Sequence, residues 1–330
     1  MPGRVLVDGL PGETRAAVLD ADDGLIDLLI RRADRPEVAG NSYFGRVEHV
    51  DRGLAAAFVE IGLERPGFLP LKAVATRPNA GDALAVRVTR EPSPGKGAKL
   101  TAQDVPAPDD PGRPPRLLAQ ADPLAALIRA ADPERVEVES AERRRALARA
   151  LPEIAERIAG HTGPEPLFDT AGLNAHIAAL LQPEVPLPGG GRLRIEPVQT
   201  LTAVDVDAAG HAGAGPARTA LEVDLAAAPE IVRQVRLRAL SGLIVVDFLE
   251  LDTKDARRQV AAALQRAFAA AGLDADGKRL TLRDAAVVDG EVGGLVAVLV
   301  RDGRGVGHRL RHLRDVDRRG RHSRVTPRRV

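Results

Sequence analysis

The sequence predicts a multi-domain α/β protein, and three observations carry that reading. The chain has 330 residues, more than one domain of ordinary size needs. Residues 41–103 hold short apolar runs with turns between them and no helical period, which reads as a small five-stranded β-barrel. Residues 201–251 hold two short β-branched runs on either side of a segment with helical periodicity, the pattern of a strand, a crossover helix and a second strand.

Composition narrows the function classes. Hydrophobic residues make up 44% of the chain, enough for real cores. Aromatic residues are only 2% (one Tyr, six Phe, no Trp), so each ring in a binding segment is worth noting. The net charge is +1 and the pI about 8.2, so a basic surface, if present, is local. There is no cysteine, which excludes disulfides and thiolate zinc sites. The start MPGRVLVDGLPGE lacks a charged segment followed by an apolar core, and no apolar run approaches bilayer length. A cytoplasmic protein without a membrane partner is expected. Nothing in the sequence fixes an oligomeric state.

In order along the chain, residues 1–40 alternate short apolar runs with polar turns, and Asp22-Asp23-Gly24 is a hairpin signal, so two or three strands of an open sheet are expected. Within 41–103, Phe58 sits in an apolar run and reads as core on pattern alone, whereas Phe68 follows Pro66-Gly67 and reads as exposed. Residues 91–116 are dense in Pro, Gly and Asp, a linker or surface loop. Residues 124–128 are apolar, and a helix is expected around 141–159. Pro188-Gly189-Gly190-Gly191 reads as a hairpin turn.

The segment 201–251 carries the candidate chemistry. Its first run ends in Asp205 and Asp207; its second ends in Asp247, with Glu250 and Asp252 beyond. Between them Ile231, Val232, Val235 and Leu240 recur at helical spacing, while Arg233, Arg236 and Arg238 fall mainly off that face. A strand–helix–strand unit would set Asp205 and Asp247 at neighbouring strand ends, a seat for a hard divalent cation that keeps water in its other positions. Spacing alone favours the plainer reading, acidic turn residues after strands. Residues 253–272 read as a helix with Thr253 as N-cap and Val260, Leu264 and Phe268 on one face. A further strand is expected near 294–300. His161 and His176 are isolated and read as structural.

The segment around these aspartates resembles the catalytic segment of the ribonuclease E/G family. The resemblance rests on Asp205-Val206-Asp207, Arg218-Thr219-Ala220, Arg233-Gln234-Val235-Arg236-Leu237-Arg238 and Ser241-Gly242-Leu243-Ile244-Val245-Val246-Asp247-Phe248. It implies that Asp205 and Asp247 bind Mg2+, which activates water to cut an RNA phosphodiester into a 3′-hydroxyl and a 5′-phosphate. Three positions depart from the family pattern. Its asparagine is Asp207 here, which would either join the metal shell or repel the phosphate. Its Thr/Ser-Gly is Ala208-Ala209, and its upstream glutamate is Gln199.

The run GRVEHVDRGLAAAFVEIGLERPGFLPL is similar to the family's S1 RNA-binding domain, an OB-fold barrel. That similarity puts Phe58 and Phe68 on a base-stacking surface, with Lys72, Tyr43 and Arg46 as weaker candidates for backbone contacts and Lys96 or Lys99 for a phosphate. The family's zinc link has no cysteines here to form it, and the motifs of its 5′-monophosphate sensor are absent between the loop and residue 124.

The expectation is therefore an RNase H-like subdomain (1–40 and, after a linker, within 104–195) with an inserted S1 barrel (41–103), followed by a DNase I-like catalytic subdomain (196–300). Its function would be magnesium-dependent cleavage of single-stranded RNA in processing or decay, with Asp205, Asp247 and Asp207 catalytic. The rival is an RNA-binding protein of the same family with weak or no catalysis. From 301 the chain is Arg-rich with little apolar period: a disordered RNA-binding tail or an out-of-frame stretch, with the family pattern already fading after about 280.

Overall fold

The computed structural model describes residues 2–34, 36–92, 95–107, 112–198, 201–208, 216–240, 242–271, 283–284 and 295–300. The expectation for 301–330, the position of Gln199 and the last residue of the helix expected over 253–272 lie outside these residues. Contacts divide the chain into two compact units, Met1–Ile30 with Ala131–Asp302, and Arg31–Ala130.

The first three strands are β1 (Pro2–Leu10), β2 (Glu13–Asp20) and β3 (Leu25–Arg32). The β2–β3 turn forms where the sequence places it: Asp23 takes φ +63°, and the Asp20 carboxylate accepts bonds from the backbone N–H of Asp22 and Gly24. That is the local acceptor role for which short acidic side chains are favoured in turns.

The second unit carries β4 (Ser42–Asp51), β5 (Ala56–Glu60), β6 (Gly67–Pro70), β7 (Ala83–Arg90), β8 (Lys99–Thr101) and β9 (Arg116–Ala119). β4 pairs with both β5 and β7, so β4, β5, β6, β8 and β7 close into the expected five-stranded barrel, with β9 added beside β4. Val47, Val59, Leu69, Val86, Val88 and Leu100 fill it. Closure depends on Gly97: a Cβ there would stand 1.8 Å from the Pro66 carbonyl oxygen, so only glycine lets the loop before β8 reach β6. The Phe68 N–H then donates to the Ala98 carbonyl at 2.7 Å.

Next come α1 (Pro123–Ala131), β10 (Arg135–Val138), α2 (Ala141–Ala150) and β11 (Ile158–Gly160). The single helix expected over 141–159 is instead α2, a 3₁₀ turn from Pro152 to Arg157, and β11. Pro152 cannot donate to a continuing helix, which ends α2 two residues before it. β10 and β11 add in parallel to β1, giving the sheet order β11-β10-β1-β2-β3. Short helices α3 (Leu167–Thr170) and α4 (Leu173–Ala179) cover one face, packing Leu167, Phe168 and Leu173 against Leu6, Leu19, Leu25 and Leu28.

The last sheet holds β12 (Glu184–Pro186), β13 (Arg192–Pro197), β14 (Leu201–Asp207), β15 (Gly242–Asp247), β16 (Arg283–Asp284) and β17 (Leu295–Val300), in the order β12-β13-β14-β15-β17-β16. β14 and β15 are parallel and joined by helix α5 (Pro216–Leu237); every other neighbouring pair is antiparallel. α6 (Lys254–Ala270) lies against α5, with the Thr253 hydroxyl capping it by accepting from the Ala256 N–H at 3.1 Å. Val204, Val206, Ile244 and Val246 join Val223, Ile231, Val260, Leu264 and Phe268 in one core. α5 also docks on the first sheet: Arg236 Nε donates to the buried Asp27 carboxylate at 3.0 Å, and Arg233 Nε to the Leu25 carbonyl at 3.0 Å.

Candidate active site

The aspartates of the two apolar runs meet on one face of the last sheet. In β14 and β15 the parallel register sets Asp205 directly opposite Asp247, on strands about 4.8 Å apart. Successive side chains on a strand point to opposite faces. Val204 and Val206 of β14 and Ile244 and Val246 of β15 are buried in the core shared with the helices. Asp205, Asp207 and Asp247 therefore share the other face, where Asp205 and Asp247 are exposed. The Asp247 carboxyl is raised above the usual range, first by partial burial and then by the negative charge of Asp205. Two like charges held opposite one another create a local demand for a cation.

β13 contributes what the sequence reading missed. Its register sets Arg194 opposite Asp205 and Arg192 opposite Asp207. Arg192 forks onto Asp207, Nε at 3.0 Å and Nη2 at 2.7 Å from the same oxygen. Arg194 Nε donates to Glu196 at 2.7 Å, and both guanidiniums approach Glu184 on β12. The alternation Arg192-Leu193-Arg194-Ile195-Glu196 was legible as a strand with one polar face. That this face continues into the aspartates depends on strand order, which no short pattern specifies.

A second missed residue is Asp224, on the crossover helix. It is fully buried; its Oδ1 accepts from the Leu249 N–H at 3.1 Å, and its Oδ2 has no partner among the described residues. Burial pushes its carboxyl up to about 7, partly offset by the Leu249 bond. This ties α5 to the turn two residues past Asp247.

Among the described residues no three His, Cys, Asp or Glu side chains are grouped to hold a metal ion. The donor set that is present, two carboxylates in register at the edge of solvent, suits a hard cation such as Mg2+, which takes one or two carboxylates and keeps several waters.

On the barrel, Phe58 and Phe68 are half-buried and outside the core cluster, so the pattern-based placement of Phe58 in the core does not hold. β5 pairs them across strands, and their rings meet edge to face with centroids 5.8 Å apart. His49, which sequence reasoning passed over, stacks on Phe58 at 4.5 Å and 12°. The register runs His49, Phe58, Phe68, Lys99 across β4, β5, β6 and β8. Lys72 is exposed on a 3₁₀ turn, and Arg46 is exposed with Nη1 donating to the Gly81 carbonyl at 3.2 Å. Tyr43 differs from expectation. It is 7% exposed and packed in the barrel core, with its hydroxyl accepting from Asn41 Nδ2 at 3.4 Å. A side chain at an inward position of a closed barrel cannot reach a backbone outside it.

One unit that is a β-barrel and one α/β unit whose parallel strand pair presents opposed carboxylates make a multi-domain α/β architecture with an acidic site. The chain belongs to the ribonuclease E/G family, whose model matches residues 113–279, more than half of its length. It is similar to ribonuclease G of Escherichia coli K12, 25% identical over 369 residues, covering 81% of this chain and 75% of that protein. It is similar to ribonuclease E of Haemophilus influenzae, 28% identical, covering 75% of this chain and 37% of that protein. A chloroplastic ribonuclease E/G-like protein of Arabidopsis thaliana is 38% identical over 113 residues, covering 33% of this chain and 11% of that protein.

Proposed function

We propose that the chain is a magnesium-dependent endoribonuclease that hydrolyses single-stranded RNA in processing or decay, without sensing a 5′-monophosphate. The observation that carries this reading is the register of Asp205 against Asp247 on parallel strands with an open face. Family membership and the similarity to proteins named ribonuclease G and ribonuclease E support RNA as the substrate. Asp205 and Asp247 would hold Mg2+, which supplies a water acidic enough to act as nucleophile near neutral pH and neutralises charge developing on the phosphate. Arg194, opposite Asp205, offers planar N–H donors to a phosphate beside that pair. Asp224 fixes the turn after Asp247 and so holds that carboxylate in register.

The S1-type barrel would bind the strand by stacking bases on Phe58 and Phe68, with His49 extending the row, and by charge from Lys72, Arg46 and Lys99. Stacking tolerates any base, which fits a nuclease without strict sequence readout. The matches to ribonuclease G run over 369 positions, more than the 330 residues of this chain, so the relative carries residues inside the matched span that this chain lacks. Loss of the sensor in that span agrees with the missing sensor motifs. Among the described residues no helix is long and apolar enough to cross a membrane, and we place the protein in the cytoplasm.

The test is cleavage of a short A/U-rich RNA with and without Mg2+. We expect magnesium-dependent products ending in 3′-hydroxyl and 5′-phosphate, lost in Asp247→Ala. RNA binding by the wild type with no cleavage under any divalent cation would instead identify an RNA-binding member without catalysis.

A further inference from the structure

We infer that Arg192 holds Asp207 out of the divalent-cation site, so that the site has two carboxylates rather than three. This rests on the reading of Asp205 and Asp247 as cation ligands. Three aspartates share the face, and sequence alone leaves the role of the third open. Strand order resolves it. β13 and β15 flank β14 on opposite sides. Asp205 stands in register with Asp247 on the β15 side. Asp207 is drawn to the β13 side by the fork of Arg192, at 3.0 and 2.7 Å. Arg192 is braced from beyond by Glu184, 3.8 Å away on β12.

The charge balance points the same way. An aspartate paired with an arginine is neutral as a pair, so Asp207 adds no net charge beside the phosphate. The pairing also spares a coordination position: a third carboxylate on a small octahedral cation would displace a water, and water is what the cation is needed to activate.

The inference is tested on the full chain by Mn2+ binding, read from loss of the free-ion electron paramagnetic resonance signal, with Mn2+ standing in for Mg2+. Four proteins form a cycle: wild type, Arg192→Ala, Asp207→Asn and the double variant. Arg192→Ala is expected to bind Mn2+ about ten-fold more tightly, because a freed carboxylate adds to the ligand charge. In the Asp207→Asn background the same arginine change should alter affinity by less than about two-fold, the scatter of independent sites. Unchanged or weaker binding by Arg192→Ala overturns the inference. An equal gain in both backgrounds also overturns it, since the arginine would then act only as a nearby positive charge. Both side chains are partly exposed, 47% and 37%, and circular dichroism checks that the variants fold. If wild type binds Mn2+ through Asp247 but the cycle is flat, this inference alone falls. If wild type binds no Mn2+ and Asp247→Ala still cleaves, the cation reading falls with it.

Discussion

The imidazole of His49 is the residue that most changes the picture of the barrel surface. It lies parallel to Phe58, so its outer face extends the aromatic row by one ring. Replacing it with alanine should weaken binding of a short single-stranded RNA by about ten-fold, the low end of what one stacked base contributes. His49→Phe should retain affinity, because stacking needs a ring and not a charge. Fluorescence anisotropy with a labelled oligonucleotide reads both, and equal losses in the two variants would show that the imidazole acts by charge or hydrogen bonding instead. Asp224 gives a second prediction at this scale. Its folded value is raised to about 7, against about 4 unfolded. Its contribution to stability is therefore complete below about pH 4 and is lost as pH rises through 7. Asp224→Asn removes that titration, and the difference in stability between pH 5 and pH 8 should shrink by about 3 kcal/mol in urea unfolding. An unchanged pH dependence would show that the buried carboxyl is not the titrating group.

At the scale of elements, what the sequence disclosed and what it hid follow from the range of the interactions. β2, β3, β14, β15 and α6 were legible because their signals are local: an Asp-Asp-Gly turn, β-branched runs, a threonine cap and a period of apolar residues. The start of α5 was not. The helical spacing read in the sequence began at Ile231, yet the helix begins at Pro216 and runs through Pro229. A proline inside a helix costs about 3 kcal/mol. Here Val223, Ala227, Ala228, Ile231 and Val232 are buried on both sides of it, and that long-range packing outweighs the local penalty. The site was half legible for the same reason. A strand–helix–strand pattern offers the Asp205–Asp247 juxtaposition, while Arg192, Arg194 and His49 matter through cross-strand register, which no local pattern specifies. The C-terminus of α5 offers a test of local strain. Ala239 takes φ +49°, and the N–H groups of Ala239 and Leu240 close the helix end onto the carbonyls of Arg236 and Val235. That conformation favours glycine. Ala239→Gly should leave stability unchanged or raise it by about 0.5–1 kcal/mol, whereas a loss above that would show the Ala239 methyl to be needed for packing.

At the scale of the whole molecule, the proposed function assigns the two units two tasks. A barrel with an aromatic row suits holding single-stranded RNA, and a sheet with opposed carboxylates suits cutting it. On this account cleavage does not depend on the 5′ end. RNAs carrying 5′-hydroxyl, monophosphate and triphosphate should be cut at rates within about two-fold of one another, a difference worth under half a kcal/mol. A strong preference for the monophosphate would place a sensor somewhere in this chain. The central claim is that Asp205 and Asp247 act together on one cation. Its most direct measurement is single-turnover cleavage by Asp205→Asn, Asp247→Asn and the double variant in Mg2+. Each single change should cost roughly a thousand-fold or more, given the several kcal/mol that a bound metal supplies. The double should be no slower than either single, as for residues working as a unit. Losses that multiply, or a single variant that keeps near wild-type rate, would contradict the account.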